Sequence, residues 1–322
     1  MRRSSPVDGG SSCCGVLEIN TPYLPRTALA VIAVSLFLAP SASGQAFCSA
    51  PHSSPVLAGG GSITTLAPGS GWIQGSFLGR SSGTFFDPNG DRRPYLADGH
   101  VRTRSLYLTG SIGVFRGVDV WAQVPVHQLS FADETGERER VGIGDPRFSI
   151  RFGPELIGAD EIGVAVRAGV KLPGTEFPVD RRIIPLSEGQ REWEVSIEAG
   201  RGFPSFGTYS YVLGWIGYRW RERNDVIQYK PGDELFGHLA IGTRWRSLQV
   251  ELATELMAGR AAEEFGLRLT TAQRRLVQLQ PTIGYSLGPG TFEFTTLIPI
   301  AGKNLPTGVG TSLGYRLIWG TL

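Results

Sequence analysis

A two-residue alternation of side-chain type, repeated along the chain in segments about ten residues long, most limits its possible folds. Each segment ends at Gly, Pro, Asp or Asn. In the clearest segment, residues 144–153, three apolar side chains alternate with polar ones; the apolar positions are Phe148, Ile150 and Phe152. Successive side chains of a strand point to opposite faces, so each segment is predicted to be a strand with one apolar and one polar face.

Twelve such segments follow one another, and single-chain bacterial outer-membrane barrels have an even number of strands. We therefore predict an all-β fold: a transmembrane antiparallel β-barrel of about 12 strands, arranged as an up-and-down meander. One face of each strand would meet lipid and the other the lumen. The predicted strands are 71–81, 102–115, 118–130, 142–152, 162–172, 191–200, 208–219, 234–246, 248–258, 274–287, 291–300 and 309–319.

The connections give a second test, because outer-membrane barrels have short periplasmic turns and longer outer loops. With the N-terminus in the periplasm, the predicted outer loops are 82–101, 131–141, 173–190, 220–233, 259–273 and 301–308. The predicted turns are 116–117, 153–161, 201–207, 247 and 288–290. The alternation is weakest at 153–161, which is about as long as its neighbour 131–141.

A soluble β-sandwich and a secreted β-helix or propeller also alternate in this way. The polar face here mixes Gly and Ala with charges, which favours a lumen over a solvated sandwich face. Aromatic residues near the predicted strand ends are typical of interfacial girdles. These are Trp72, Tyr107, Trp121, Trp193, Tyr209, Trp220, Trp245, Tyr315 and Trp319.

An apolar stretch, residues 28–39, follows Arg26 and leads into small residues up to Ala46. Its length and small-residue exit indicate a secretory signal peptide cleaved after Gly44 or Ala46, rather than a buried helix. The expected organisation is a cleaved signal peptide and N-terminal extension over 1–46, a periplasmic leader over 47–70 and an outer-membrane barrel over 71–322. The expected location is the outer membrane of a Gram-negative cell, after signal-peptide-directed export.

The charge balance bears on the partners. The chain has 31 Lys and Arg against 29 Asp and Glu, a formal net charge of +2. Residues 1–46 contain three arginines and two acidic residues, so their removal leaves +1. Without a basic excess, nucleic acid is not an expected partner. The expected partners are outer-membrane lipid, a small-molecule solute and the outer-membrane insertion machinery. The insertion machinery is expected because the last predicted strand alternates as an insertion signal does, although Gly320 follows it.

The polar face of the predicted strands supplies candidate pore-lining residues. Basic side chains of strands four and five would face acidic ones of strands six and nine and create a transverse field. The alternative is that they pair across a lumen too narrow for solute. The candidates are Arg147, Arg151, Arg167, Lys171, Glu192, Glu194, Glu198, His238, Arg244, Glu251, Glu255, Gln278, Gln280 and Arg316.

No cofactor or metal is expected. Asp87, Asn89 and Asp91 resemble the start of a calcium loop, but the bidentate Glu of an EF-hand is missing and an Asx turn accounts for the pattern better. No two of the four histidines stand at ligand spacing. A catalytic serine would need a nearby histidine, and His238, the lumen-facing histidine that the alternation assigns, has no serine motif beside it.

Several short motifs resemble the phenol-degradation meta-pathway family of outer-membrane proteins. They are residues 141–148, 71–74 with 87–91, 124–126 and 299–304. The resemblance covers most of residues 70–322 and implies an outer-membrane barrel that passes small, often aromatic or hydrophobic, compounds.

The predicted function is a narrow channel for passive uptake of small solutes, with aromatic or hydrophobic compounds as the implied class. No enzymatic activity is expected. One alternative is a non-conducting surface barrel, an adhesin or structural protein with partner-binding loops. A second is a barrel-embedded hydrolase.

Overall fold

The computed structural model describes residues 64–134, 136–158, 163–178, 183–205 and 207–320. Antiparallel strands dominate this part of the chain, and the fourth is written as two segments because a bulge interrupts it. The barrel strands are β1 (Gly71–Ser82), β2 (His100–Phe115), β3 (Val118–Asp133), β4 (Gly136–Ile143 and Arg147–Phe152), β5 (Val164–Lys171), β6 (Glu192–Ser205), β7 (Thr208–Arg221), β8 (Glu234–Trp245), β9 (Leu248–Gly259), β10 (Arg275–Leu287), β11 (Gly290–Lys303) and β12 (Gly310–Trp319).

The sheet closes on itself. Each barrel strand pairs with the next one in the chain, and β1 also pairs with β12, with Gly71 opposite Trp319 and Arg80 opposite Gly310. The result is a closed antiparallel barrel of twelve strands in an up-and-down meander, which confirms the predicted fold. Closure pairs the first strand with the last, as lipid requires of a spanning sheet, and only the Gly136–Ile143 segment of β4 has a partner on one side alone among the described barrel strands.

The strand ends differ most from the prediction at two connections. Residues 201–205, predicted as part of a turn, belong to β6, and Ser205 pairs with Thr208 of β7. Residues 131–141 are not an outer loop: β3 and β4 continue as a ladder until Asp133 pairs with Gly136. On the outward face of this extension, Glu137 and Glu139 stand where the next outward positions of the same strand have apolar side chains, Val141 and Ile143. A strand segment without an apolar face resembles a loop in composition. This explains why the predicted strands 118–130 and 142–152 stop short of the hairpin between them.

A β-bulge divides β4. Gln123 pairs with Arg147 and Val126 with Ile143, so two residues of β3 stand opposite three of β4. Pro125 and Pro146 both lie in this bulge, where proline can be accommodated because the regular ladder is already interrupted. A Cβ added to Gly144 would lie 2.3 Å from the His127 ring, so the close approach requires glycine there.

The two faces of the barrel differ as an outer-membrane protein requires. Outward positions hold exposed apolar side chains such as Phe77, Leu106 and Leu252. Of the aromatic residues predicted to form interfacial girdles, Trp193, Tyr209, Trp220, Trp245 and Trp319 are exposed and Tyr315 is half-buried. Trp72, Tyr107 and Trp121 instead point inward, because their parity along β1, β2 and β3 places them on the lumen face.

Long connections lie at one end of the barrel, called here the loop end, and the other end is the turn end. Two small sheets pair the loops: Thr84–Phe86, Arg92–Pro94 and Leu305–Pro306 in one, and Tyr229–Lys230, Ala262–Glu264 and Leu267–Leu269 in the other. The described part also has two 3-10 helices, Leu96–Asp98 in the first loop and Pro154–Ile157 in the turn between β4 and β5. None of the described helices is long and apolar enough to cross a bilayer.

Residues 64–70, called here the N-terminal strap, cross the turn end. Leu66 is buried against Trp72, and its amide donates to Asp119 Oδ2 at 3.1 Å. The Gly69 amide donates to the Gly113 carbonyl at 2.9 Å, and the indole of Trp319 donates to the Gly69 carbonyl at 3.1 Å. The predicted signal peptide and most of the predicted periplasmic leader lie outside the described residues.

Candidate functional site

Two cavities, of about 840 and 650 Å³ including their solvent-open parts, lie in the lumen formed by the described residues. The larger, called here the loop-side cavity, is lined by residues at the loop end such as Lys171, Glu188 and Arg274. The smaller, the turn-side cavity, is lined by residues near the other end such as Trp72 and Asp119. Trp215 and Phe236 line both cavities and therefore mark the place where the two meet.

All fourteen candidate residues occupy inward positions of their strands. Five line the loop-side cavity: Arg147, Lys171, Glu192, His238 and Glu255. Four line the turn-side cavity: Arg151, Arg167, Glu194 and Glu198. Neither cavity is lined by the remaining five, which are Arg244, Glu251, Gln278, Gln280 and Arg316.

Ion pairs bind the wall of the turn-side cavity together. Arg151 Nη2 donates to Asp119 Oδ2 at 2.6 Å, and Arg151 Nη1 lies 3.6 Å from Glu198 Oε2. Arg167 donates to the other oxygen of Glu198. The pairs join β3, β4, β5 and β6 in one run, and the carbonyl of Thr64 in the N-terminal strap also accepts from Arg151.

A larger ionic cluster lies at the loop end of the lumen. Arg221 Nε donates to Glu192 Oε1 at 2.6 Å, and Arg219 Nη1 donates to Glu234 Oε2 at 2.9 Å. Buried charges require such partners to offset their lost hydration. The cluster consists of Asp145, Lys171, Glu188, Glu192, Arg219, Arg221, Glu234 and Arg274.

Glu188 enters this cluster from the connection between β5 and β6. Its carboxylate accepts from Lys171 and Arg221 and, at 3.2 Å, from Arg274 Nη1. Desolvation by itself would raise the pKa of Glu188, but the three cations outweigh it and hold the pKa well below its ordinary value. The side chain is therefore a carboxylate, and it anchors this connection to the barrel wall.

The charges pair mainly between neighbouring strands, which differs from the expected transverse field. Acidic β6 lies between basic side chains on both sides: Lys171 of β5 approaches Glu192 to 2.9 Å, and Arg219 of β7 approaches Glu194 to 3.1 Å. The pairing with β7 was not foreseen because Arg219 and Arg221 were not among the candidate residues. Both alternate inward in β7, so the period itself could have found them.

The opposite wall of the lumen is packed by hydrogen-bonded polar side chains. Arg316 is fully buried and donates to Gln74 Oε1 at 3.1 Å and to Glu293 Oε2 at 3.2 Å. Glu251 accepts from the Tyr211 hydroxyl at 2.6 Å. Glu255 accepts from two amides, those of Gln278 at 3.2 Å and Gln280 at 2.6 Å. Of the residues in these contacts, only Glu255 also lines a cavity.

Aromatic side chains narrow the lumen at mid-height. The Trp215 indole stacks on the His238 ring, with centroids 3.9 Å apart and planes 5° from parallel. The Arg219 guanidinium lies over the Phe236 ring, 4.9 Å from its centroid. These contacts fix Trp215 and Phe236 at the junction of the two cavities.

A second histidine also faces the lumen. His127 Nδ1 lies 2.7 Å from Ser105 Oγ, a pair that the alternation had not assigned. A serine nucleophile needs access to substrate. Ser105 is 1% exposed and lines neither cavity, so the contact is a structural hydrogen bond.

The suspected calcium loop forms an Asx turn. Asp87 Oδ1 accepts from the amides of Asn89, Gly90 and Asp91 at 2.8–3.0 Å, and Arg93 pairs with both aspartates. Desolvation acts to raise the pKa of Asp87, but these hydrogen bonds lower it overall. Within the described residues, no group of three or more His, Cys, Asp or Glu could hold a metal ion.

Comparison with solved structures places the fold among outer-membrane β-barrels. An outer membrane channel from Pseudomonas putida F1 superposes with a TM-score of 0.66 at 13% identity, covering 80% of this chain and 98% of that one. The beta domain of the Bordetella autotransporter BrkA gives 0.43 at 12% identity, covering 78% and 100%. The monoaromatic hydrocarbon channel CymD gives 0.38 at 10% identity, covering 80% and 90%.

No protein-family model matches the chain, and no curated protein matches it. The resemblance to the phenol-degradation meta-pathway family therefore has no support from sequence comparison. The chain has the closed twelve-strand barrel of outer-membrane proteins of Gram-negative bacteria.

Proposed function

We propose that this outer-membrane barrel is a narrow channel for the passive uptake of small solutes, including aromatic or hydrophobic ones. The observation that carries the proposal is the pair of cavities that meet at Trp215 and Phe236. A barrel filled by its own side chains would leave no such series of spaces. The shared fold with a protein described as an outer membrane channel is consistent with this proposal.

The cavity walls fit solutes that are partly apolar. Ion pairs already satisfy most of the charged side chains that line the path, so the walls hold few free charges to retain a small ion. Apolar side chains are interspersed with them in the loop-side cavity, among them Leu186, Phe236, Met257 and Leu276. Pockets that bind small molecules commonly combine such a lining with a few polar groups.

Single-channel recording of the purified chain in planar bilayers tests the proposal. We expect discrete current steps, and a larger unitary conductance for Phe236→Ala because the variant widens the junction of the cavities. Phe294→Ala removes an equally large ring from the lipid-facing side of β11 and serves as the matched control. Absence of any conductance, or an equal effect of both variants, would contradict the channel.

A second candidate function is a non-conducting surface barrel. The N-terminal strap favours it, because Leu66 packs against Trp72 and Trp121 at the turn end, where both tryptophans also line the turn-side cavity. If the strap closes this end permanently, removing the Leu66 contact by Leu66→Ser will create a conductance that the unaltered chain lacks. A conductance already present in the unaltered chain contradicts this candidate.

A further inference from the structure

We propose that the loop-side cavity is a binding site for a small aromatic acid, a solute with one aromatic ring and a single carboxylate. The proposal rests on the proposed channel function and names the solute class that its loop-side half would select. It depends on one buried guanidinium, an apolar wall beside it and the pairing of the other charges.

The guanidinium belongs to Arg147. Its Nη1 is buried, has no hydrogen-bond partner among the described residues, and lies 3.9 Å from the nearest paired oxygen, Glu194 Oε2. That separation is too long for a charge-assisted hydrogen bond, which measures about 2.7–2.9 Å. Leaving a buried donor without an acceptor costs free energy. A ligand anion whose oxygen accepts from this guanidinium would recover that free energy on binding.

The other cations in this cavity already have partners. Lys171, Arg219, Arg221 and Arg274 each approach a carboxylate within 3.2 Å. A ligand anion would have to displace a protein carboxylate to reach any of them. Arg147, whose contact with Glu194 is the longest of these pairs at 3.9 Å, is therefore the cation in the described cavity lining that a ligand carboxylate would engage with the least loss of existing pairing.

The wall beside the charged groups suits an aromatic ring. Trp215 and Phe236 present indole and phenyl groups, and Met257 packs against Leu276. A thioether makes favourable contacts with aromatic rings, and stacked or edge-to-face rings attract one another beyond their buried area. A cavity with one guanidinium that lacks a close carboxylate partner, together with these side chains, is complementary to a ring that carries one anionic group.

The charge balance also limits the ligand to one negative charge. Asp145, Glu188, Glu192 and Glu234 line the same cavity and are bound to its cations. A fifth carboxylate in the lining, that of Glu255, accepts from two glutamine amides. A second ligand carboxylate would meet these acids, and each of the other described lining cations already has a carboxylate within 3.2 Å. Like charges in a site of low dielectric repel strongly, so a dicarboxylate should be rejected.

Isothermal titration calorimetry of the full chain in detergent, at pH 7, tests the site without requiring conductance. The probes are benzoate, benzyl alcohol and phthalate, which share a ring and carry one, no and two carboxylates. A charge-assisted hydrogen bond contributes enough for about a tenfold difference in Kd, so benzoate should bind about tenfold more tightly than either analogue.

Three variants test whether the Arg147 side chain is responsible for the affinity for benzoate. Arg147→Gln should weaken benzoate about tenfold and leave benzyl alcohol unchanged, because only the carboxylate meets this side chain. Arg147→Lys keeps the charge and should recover part of the affinity. Arg104→Gln removes a charge from an exposed, outward position of β2 and should change neither ligand. Slower migration of boiled than unboiled samples establishes that each variant is folded.

The outcomes separate this site from the channel. Equal benzoate affinity in the unaltered chain and Arg147→Gln, or tight binding of phthalate, would overturn the site. Benzoate binding lost in Arg147→Gln supports the site even if bilayer recordings show no current. A conducting chain that does not bind benzoate overturns the site and leaves the channel standing.

Discussion

The carboxylate of Glu188 determines how the connection between β5 and β6 meets the barrel wall. It lies among three cations contributed by β5, by β7 and by the residue before β10, and its side chain is 16% exposed. Each of those cations would lose a buried partner if this charge were removed. One side chain therefore joins a loop to three separate places on the barrel.

Glu188→Gln should lower the free energy of unfolding by about 3 kcal/mol, the lower end of the range for breaking a buried ion pair. Equilibrium urea unfolding of the refolded barrel measures the change. Glu176→Gln alters an exposed carboxylate in the same connection and provides the control. The same loss in both variants would show that Glu188 does not anchor the loop.

The pH dependence of that difference follows from the lowered pKa of Glu188. A carboxyl with a lowered folded-state pKa contributes its full stabilisation above its ordinary value of 4.5, and loses it as pH falls through the folded-state value. The difference between the unaltered chain and Glu188→Gln should be constant from about pH 8 to 6 and shrink below about pH 4. A difference that grows on acidification would contradict the assignment.

Side-chain parity explains which single residues could be predicted. Arg151, Glu198 and Arg316 follow the two-residue period, and the structure places all three on the inner face. Glu188 lies in a connection, where no period indicates the direction of a side chain. Trp72 was assigned to a girdle from its nearness to a strand end, although its parity points inward.

At the scale of elements, the bulge in β4 depends on one glycine. The His127 ring, 1% exposed, occupies the space that a side chain at position 144 would need. His127 is held in turn by Ser105, so it cannot move aside without losing a hydrogen bond.

Gly144→Ala should therefore destabilise the barrel by about 1–3 kcal/mol, as overpacking of a filled interior commonly does. The temperature at which the folded gel band disappears gives the readout. Gly75→Ala is the control, since a Cβ there meets nothing within 4 Å. If both variants melt together, the close approach to His127 is not a constraint.

Element boundaries were predictable wherever one strand face meets lipid. All twelve barrel strands overlap a predicted segment, because apolar outward positions mark them. The part of the β3–β4 ladder between the paired residues Val126 and Ile143 and the connecting hairpin was missed because both faces of the two strands carry polar groups there. The inward position of the strap residue Leu66 depends on contacts with distant strands, which local sequence does not encode.

At the scale of the whole molecule, closure of the sheet has a direct biochemical signature. Apart from the Gly136–Ile143 segment of β4, which pairs only with β3, the barrel strands have hydrogen-bonded neighbours on both sides, so detergent finds little free edge at which to begin unfolding. The folded chain should migrate faster than its boiled form on a detergent gel, and fractionated cells should hold it in the outer membrane. Recovery as a soluble protein after osmotic release would contradict a membrane barrel.

The meeting of the two cavities at Trp215 and Phe236 has a kinetic consequence. In the proposed channel, a solute that pauses on each side of this junction would cross in discrete hops, and its flux would be limited by how often the first resting place is occupied. Uptake would then level off at high external concentration. A barrel of this kind works best when its solute is scarce, whereas a wide water-filled pore passes more in direct proportion to supply.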